Sequence, residues 1–319
     1  LTESDVRRVL PFSTGVIGEV LDPAKLAAAL PSAIANLDEG NWERAARAIM
    51  TTDTRPKMRT QRVEVGGRSC CLTGMSKGSG MIQPNMATML GFIATDAVIP
   101  ASMLDGMLRT AVNLSFNRIT VDGDTSTNDA VTLSATGQSD FVVSPTAPEE
   151  ALAFQAALNE LAIALAQDII RDGEGATKFV EIEVLDARSV DEADRVARTI
   201  AHSPLVKTAL FASDPNWGRI LAAVGRAGVE DLDVVAAVEG CDTQSLCRVR
   251  VGGSRKNGEL HEGSSVGCGE VSDSEPVASG AVGSGNAMWT RASPWLTIGS
   301  RLRPTTMPSA SPVSTIIIP

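Results

Sequence analysis

Between two stretches that read as β-strands lies Thr73 to Leu90 (TGMSKGSGMIQPNMATML), a segment with neither a helical nor a strand period. It holds three glycines, Gly74, Gly78 and Gly80, together with Pro84, and few charges. A solvent-facing loop would be more polar, so this segment is expected to be buried and irregular. Buried backbone outside helix or sheet needs hydrogen-bond partners from elsewhere, and such loops tend to carry function. The rest of the chain has to be folded around it.

The flanking elements follow from period and punctuation. Val63 to Leu72 (VEVGGRSCCL) predicts a hairpin turning at Gly66-Gly67, and Leu90 to Ala94 a strand. Pro23 to Leu37 predicts a helix opened by Pro23 and broken at Pro31. Asn41 to Met50 predicts another, with Trp42, Ala45, Ala46 and Ile49 on one face. Met103, Leu104, Met107, Leu108, Ala111 and Val112 form a helical face. Arg118 to Val121 and Ala130 to Ala135 are expected as strands around the turn-rich GDTSTND of Gly123 to Asp129. Pro148 to Arg171 predicts a long helix with Phe154, Leu158, Leu161, Leu165 and Ile169 on one stripe, ended by Asp172-Gly173. Val180, Ile182 and Val184 alternate with Glu181 and Glu183 as a half-buried strand, and Ser189-x-x-Glu192 is a capping box opening a helix through Ile200. Strands and helices in alternation predict α/β layers.

Bulk chemistry narrows the function. The formal net charge is −10 and no dense Lys/Arg block interrupts it, which argues against nucleic acid or an anionic membrane as partner. No apolar run approaches the ~20 residues of a bilayer span. The start, LTESDVRRVL, lacks the apolar core of a signal peptide. The five cysteines (Cys70, Cys71, Cys241, Cys247, Cys268) form neither a disulfide framework nor a zinc spacing, so a reducing cytoplasm is expected. The pair Asp172/Glu174 is a poor basis for a metal site, and none is expected. His202 and His261 are the only histidines, so acid–base chemistry has to come largely from other groups.

One such group is latent in Ala87-Thr88. A threonine hydroxyl is a weak nucleophile unless a base takes its proton. Cleavage before Thr88 would free an α-amine beside that hydroxyl, with a reference pKa of ~7.7–8.0. Ala87 is small enough to let Thr88 attack its carbonyl. On spacing alone, a loop threonine bonded to the backbone accounts for the same residues.

The stretch Lys77 to Leu90 (KGSGMIQPNMATML) resembles the self-cleavage segment of the bifunctional ornithine acetyltransferase family (glutamate N-acetyltransferase) of arginine biosynthesis. Three further blocks agree in order: Ser13 to Gly18 (STGVIG), Gly123 to Asp129, and Ser213 to Ile220 (SDPNWGRI), over a near-continuous match from about Pro11 to Leu232. The resemblance implies the layered, N-terminal-nucleophile-like α/β fold of that family, and a precursor cut between Ala87 and Thr88. It also implies transfer of the acetyl group of N-acetylornithine to glutamate through acetyl-Thr88, with acetyl-CoA as a co-substrate in some members and no bound cofactor. Thr14 and Gly15 match the family's oxyanion hole. Thr51, Lys77, Thr88 and Glu174 match substrate-binding positions, with Thr52 one slip away from Thr51. An assembly of two α and two β chains is implied as well. GDTSTND and DPNWGR are expected to brace the pocket, with Trp217 as packing. KGSG is no nucleotide loop, because neither phosphate-binding glycine pattern is present.

The chain departs from the family at both ends. Only a dozen residues precede the Ser-Thr-Gly block, and after about Val234 the resemblance ends in Gly-, Ser-, Arg- and Pro-rich text, as if translated in another frame. The division expected is 1–87 as an α-chain part incomplete at its start, 88–235 as a β-chain part beginning with the nucleophile, and 236–319 as an atypical, linker-like tail. Two alternatives use the same residues. One is a self-activating N-terminal-threonine aminopeptidase or amidase, in which water resolves the acyl-enzyme. The other is a noncatalytic remnant that only associates with partner subunits.

Overall fold

The hairpin read at Gly66-Gly67 is longer than its apolar alternation suggests. Strand β1 (Lys57–Val65) pairs antiparallel with β2 (Arg68–Lys77), and both turn glycines have positive φ, at 58° and 79°. Thus β2 takes the first five residues of the segment expected to be irregular. In the computed structural model the described residues are 5, 9–83, 89–126, 128–184, 187–214, 216–230, 247–252, 255–256, 259–260, 296–298 and 314–319. They fall into two compact units, Leu1–Glu174 and Gly175–Pro319.

In the first unit β3 (Leu90–Thr95) pairs antiparallel with β2, and β4 (Ala130–Ala135) pairs parallel with β3, giving the order β1-β2-β3-β4. A parallel neighbour needs a crossover. Helix α3 (Ala101–Leu114) lies within it, in order after α1 (Pro23–Ala35) and α2 (Trp42–Ala48). Helix α4 (Pro148–Arg171) packs on β1 and β2 and buries the expected stripe of Phe154, Leu158, Leu161, Leu165 and Ile169. Gly74 lets it approach closely: a Cβ there would stand 2.8 Å from Leu161 and 2.9 Å from Leu165.

Two expectations fail here. Helix α1 runs through Pro31 without a break and has no buried residue, so the carbonyl that loses its intrahelical donor can face water. The strand expected at Arg118 to Val121 is instead a 3-10 turn, Phe116–Arg118, followed by an isolated extended stretch. Phe116 and Ile119, three apart, are both fully buried, a helical spacing mistaken for alternation.

The second unit contains β5 (Phe179–Val184), α5 (Val190–Ala201), α6 (Pro204–Phe211), α7 (Trp217–Gly225), β6 (Cys247–Gly252), β7 (Arg255–Lys256), β8 (Glu259–Leu260), β9 (Leu296–Ile298) and β10 (Ser314–Ile318). Its larger sheet has the order β10-β5-β6-β9, antiparallel throughout. Val180, Ile182 and Val184 pack with Val196, Ile200, Ile220, Ile316 and Ile318 into its core. Ser189 Oγ accepts the Glu192 N–H at 3.1 Å, while the Glu192 carboxylate reaches the Arg188 N–H at 2.9 Å, one residue short of a reciprocal box. The stretch 236–319, expected to be linker-like, thus contributes strands among its described residues. The apolar, β-branched Thr315 to Ile318 is an ordinary strand signal that the surrounding Pro and Ser obscured. Layers of sheet and helix make the chain α/β, as expected.

Candidate active site

Residues 78–83 after β2 are buried or half-buried, and their polar groups are paired by two carboxylates and by backbone groups that follow α4. Gly78 N–H donates to Asp53 at 2.8 Å. Ser79 Oγ donates to the Asp172 carbonyl at 2.6 Å, and Ser79 O accepts Glu174 N–H at 2.8 Å. The Ile82 N–H donates to Asp122 at 3.0 Å, and Met81 N–H bonds the same carboxylate. Val121 N–H meets Ile82 O at 2.7 Å. Met81 carries a positive φ of 54° in a non-glycine residue, a strained corner held by these bonds.

A buried ion cluster underlies this corner. Lys57 Nζ contacts Asp53 and, at 2.7 Å, Asp172, and all three side chains are within 1% of complete burial. Burial opposes the charge on Asp53, but the Gly78 N–H, Lys57 and the Thr51 N–H outweigh it and hold the carboxyl below its usual range. Burial likewise opposes Asp172, and Lys57 with Thr54 overcomes it. Sequence reading missed Asp53 and Lys57 as site-forming residues. Asp53 stood in a hydroxyl-rich stretch and Lys57 among the exposed-looking charges of RPKMRTQR, while Asp172 was read as the end of a helix and, with Glu174, as a poor metal pair.

Lys77 ends β2 with its side chain 2% exposed. Burial pushes its ammonium below the usual range, against the pull of Asp53 and Asp129. Its Nζ reaches Thr51 Oγ1 at 3.4 Å, so two of the sequence-derived substrate residues stand together, and it is Thr51 rather than Thr52 that makes the contact. Glu174 is at the same corner, where a Cβ on Gly80 would come within 2.6–2.8 Å of its carboxyl group.

Pro84 to Thr88 lie outside the described residues, so the cleavage residues Ala87 and Thr88 have no described geometry. What surrounds them in sequence is tightly held. Asp122 grips Met81 and Ile82 on one side, and on the other Asp129 accepts the Met89 N–H, while Ala130 N–H returns to Met89 O at 3.1 Å. Of these two carboxylates Asp129 belongs to the GDTSTND block, and Asp122 directly precedes that block. Its Asn128 donates to Ser13 O at 3.0 Å, and Phe12 meets Phe92 of β3 edge-on with centroids 5.1 Å apart. These two contacts bring the extended Phe12-Ser13 stretch beside β3 and the start of β4. Gly15 faces open space among the described residues.

The DPNWGR block belongs to the second unit as a turn between α6 and α7. Asn216 caps α7 by accepting Arg219 N–H at 3.2 Å, and Lys178 donates to Ser213 Oγ at 2.6 Å and to Phe211 O at 3.1 Å. Trp217, expected as packing, is 47% exposed at the first turn of α7, a position that aims it outward. Among the described residues no group of three metal-ligating side chains converges, and no helix is long and apolar enough to cross a membrane.

The chain is 61% identical over 227 residues to the arginine biosynthesis bifunctional protein ArgJ of Methylococcus capsulatus, covering 71% of this chain and 56% of that protein. It is 57% identical over 242 residues to the protein of the same name from Psychrobacter arcticus, covering 75% and 59%. A crystal structure of the arginine biosynthesis bifunctional protein ArgJ from Bacillus halodurans shares 49% identity at a TM-score of 0.42, over 45% of this chain and 67% of that one. The chain therefore spans less than two thirds of the length of the curated relatives it matches. The family's own pattern continues to residue 259, past the point near Val234 where the motif blocks give out. Matched over residues 1–259, the chain belongs to the ArgJ family.

Proposed function

We propose that this chain is an N-terminal-threonine acyltransferase that cuts itself between Ala87 and Thr88 and passes the acetyl group of N-acetylornithine to glutamate through acetyl-Thr88. The observation that carries the reading is the contact of Lys77 with Thr51, together with Glu174 beside Gly80, directly before the segment that contains the nucleophile. Family membership supports the same assignment.

The chemistry divides among the residues as follows. The freed α-amine of Thr88 takes the proton of its own hydroxyl, which attacks the acetyl carbonyl. Thr14 hydroxyl and Gly15 N–H meet the negative oxygen of the tetrahedral intermediate, and loss of one such donor typically costs about 10²–10³ in rate. An amino-acid substrate carries both signs of charge. The desolvated Lys77 ammonium takes its carboxylate, with Thr51 beside it, and the Glu174 carboxylate takes its ammonium. Donor and acceptor use one site in turn. Acetyl-CoA as an alternative donor, an α2β2 assembly and a cytoplasmic location complete the reading.

Intact mass of the purified chain tests it. Two fragments are expected, the second beginning at Thr88, and the cut protein should move acetyl from N-acetylornithine to glutamate. Thr88→Ala should stay whole and inactive, whereas Thr88→Ser should keep some of both activities. Release of free acetate with no acetylglutamate would point to a hydrolase instead. Transfer by a folded chain that remains uncut would overturn the mechanism.

A further inference from the structure

Lys77 and Thr51 are 26 residues apart in the chain, one at the end of β2 and the other before β1, yet they meet at 3.4 Å. That is longer than a well-formed N–H···O bond of about 2.7–3.2 Å, so neither group is used up by the other and both can turn to a third partner. Such a spacing has to be imposed from outside the pair. The geometry points to Asp53 as the positioning residue that imposes it, a role that rests on the acetyl-transfer reading above.

One carboxylate reaches the backbone of both residues. Asp53 Oδ2 accepts the N–H of Thr51 at 3.1 Å, and Oδ1 accepts the N–H of Gly78, the residue directly after Lys77, at 2.8 Å. Oδ1 also meets Lys57 Nζ, which Asp172 holds from the other side at 2.7 Å, so the anchor is itself fixed. Three donors thus converge on one side chain, and an ionised carboxylate is the group that accepts on both oxygens and donates on neither. The Asp53 side chain is completely buried, so a bond lost there is not replaced from bulk water.

The same carboxylate acts on Lys77 through its charge. Burial depresses the Lys77 ammonium, Asp53 and Asp129 oppose this, and Lys57 adds to it. The charged groups that act on Lys77 are therefore Asp53 from the loop before β1, Lys57 from β1 and Asp129 from the residue before β4. Asp53 alone among them also holds the backbone beside Lys77 and that of Thr51. It keeps the ammonium charged and the hydroxyl beside it in one place, which is what recognition of a substrate carboxylate by this pair requires.

Two variants that each take one carboxylate from the cluster separate positioning from stability. Asp53→Asn leaves Lys57 matched one to one by Asp172. Its oxygen can still accept from Gly78 and Lys57, but its NH₂ then faces the Thr51 N–H, donor against donor. Asp172→Asn takes the other partner of Lys57 and leaves the bonds of Asp53 to Thr51 and Gly78 in place. Acetyl transfer by the full chain is followed at varied N-acetylornithine and glutamate, with circular dichroism to establish folding. Misplacing a positioning group by about 1 Å can cost about 10²-fold, so Asp53→Asn should raise KM for both substrates about tenfold and change kcat less than about threefold. Asp172→Asn should lose comparable stability with a much smaller rise in KM. As pH rises and Lys77 loses its proton, KM should climb from a lower pH in Asp53→Asn than in the wild type, and from a higher one in Lys57→Met, whose charge acts in the opposite sense. If Asp53→Asn does not fold alone, its combination with Lys57→Met and Asp172→Asn leaves no charge in the cluster and should show the same rise in KM. A folded Asp53→Asn chain with KM near the wild-type value, or equal rises in Asp53→Asn and Asp172→Asn, overturns the inference alone. A wild type that transfers no acetyl group overturns the functional reading and this inference with it.

Discussion

Replacing Lys57 by Met removes one charge and leaves most of the stem, which isolates the electrostatic role of the buried cluster. In the native chain one ammonium serves two carboxylates, Asp53 and Asp172, all of them shut off from water. Taking away one partner of a buried pair typically costs about 3–5 kcal/mol, because the remaining charge is buried without compensation. Here two carboxylates are left facing each other, so the upper part of that range is expected. At about 2–4 °C per kcal/mol for a unit of this size, melting should fall by about 8–20 °C. The sign of the pH dependence is fixed. Both carboxyls are held below their usual range in the fold, so their contribution is present above the unfolded value of ~3.9 and is lost as pH falls through the folded value. Without Lys57, burial is opposed only by the Gly78 and Thr51 N–H groups at Asp53 and by Thr54 at Asp172, so both carboxyls shift upward. The deficit of the variant should then be largest near pH 7.5 and shrink toward pH 4.5, by about 1.4 kcal/mol per pH unit for each carboxyl that protonates. Urea unfolding with hydrogen exchange at the β1–β2 amides reads this locally. A deficit under about 1 kcal/mol, or one that does not change between the two pH values, would refute the argument. Adding Asp53→Asn and Asp172→Asn to the variant should return much of the loss.

Other consequences can be checked more quickly. Gly74→Ala forces a Cβ against Leu161 and Leu165 and should cost about 1–3 kcal/mol in urea unfolding. In Gly80→Ala the atoms nearest the new Cβ belong to the movable Glu174 carboxyl, so it should leave melting nearly unchanged while raising KM for glutamate about tenfold with little loss of kcat. An equal fall in both constants would place Glu174 elsewhere in the cycle. Ser189→Ala removes the cap of α5 and should cost about 1 kcal/mol. The raised carboxyl of Asp129 makes its charged form unfavourable in the fold. Wild-type stability should therefore decline relative to Asp129→Asn from about pH 4 to about pH 7 and then run parallel, as pH-dependent unfolding would show.

Local period was enough to read the hairpin, α4, β5 and the α5 cap, because each buries one face and ends at a recognisable breaker. It failed where burial and period disagree. Phe116 and Ile119 enter the core from a 3-10 turn, and Pro31 sits in a helix with no buried face to protect. Of the positions read as a site, Lys77 and Thr51 touch, and Glu174 stands beside Gly80, three residues past Lys77. The cluster beneath them was not legible, since Lys57 and Asp172 are 115 residues apart and neither residue type announces a buried partner. Asp129 was visible only as a turn former; burial raises its carboxyl, and the Met89 N–H that partly offsets this comes from 40 residues away.

The sheet order has a consequence for the matured protein. Strands β1 and β2 precede the proposed cut and β3 and β4 follow it, so the boundary between the two pieces runs down the middle of one sheet, along the six residue pairs from Leu72↔Thr95 to Lys77↔Leu90. Once severed, that seam is an association between two molecules and no longer a fold of one. Its melting should become sensitive to dilution, and recovery after denaturation should follow second-order kinetics, while the uncut Thr88→Ala chain refolds at a rate independent of its concentration.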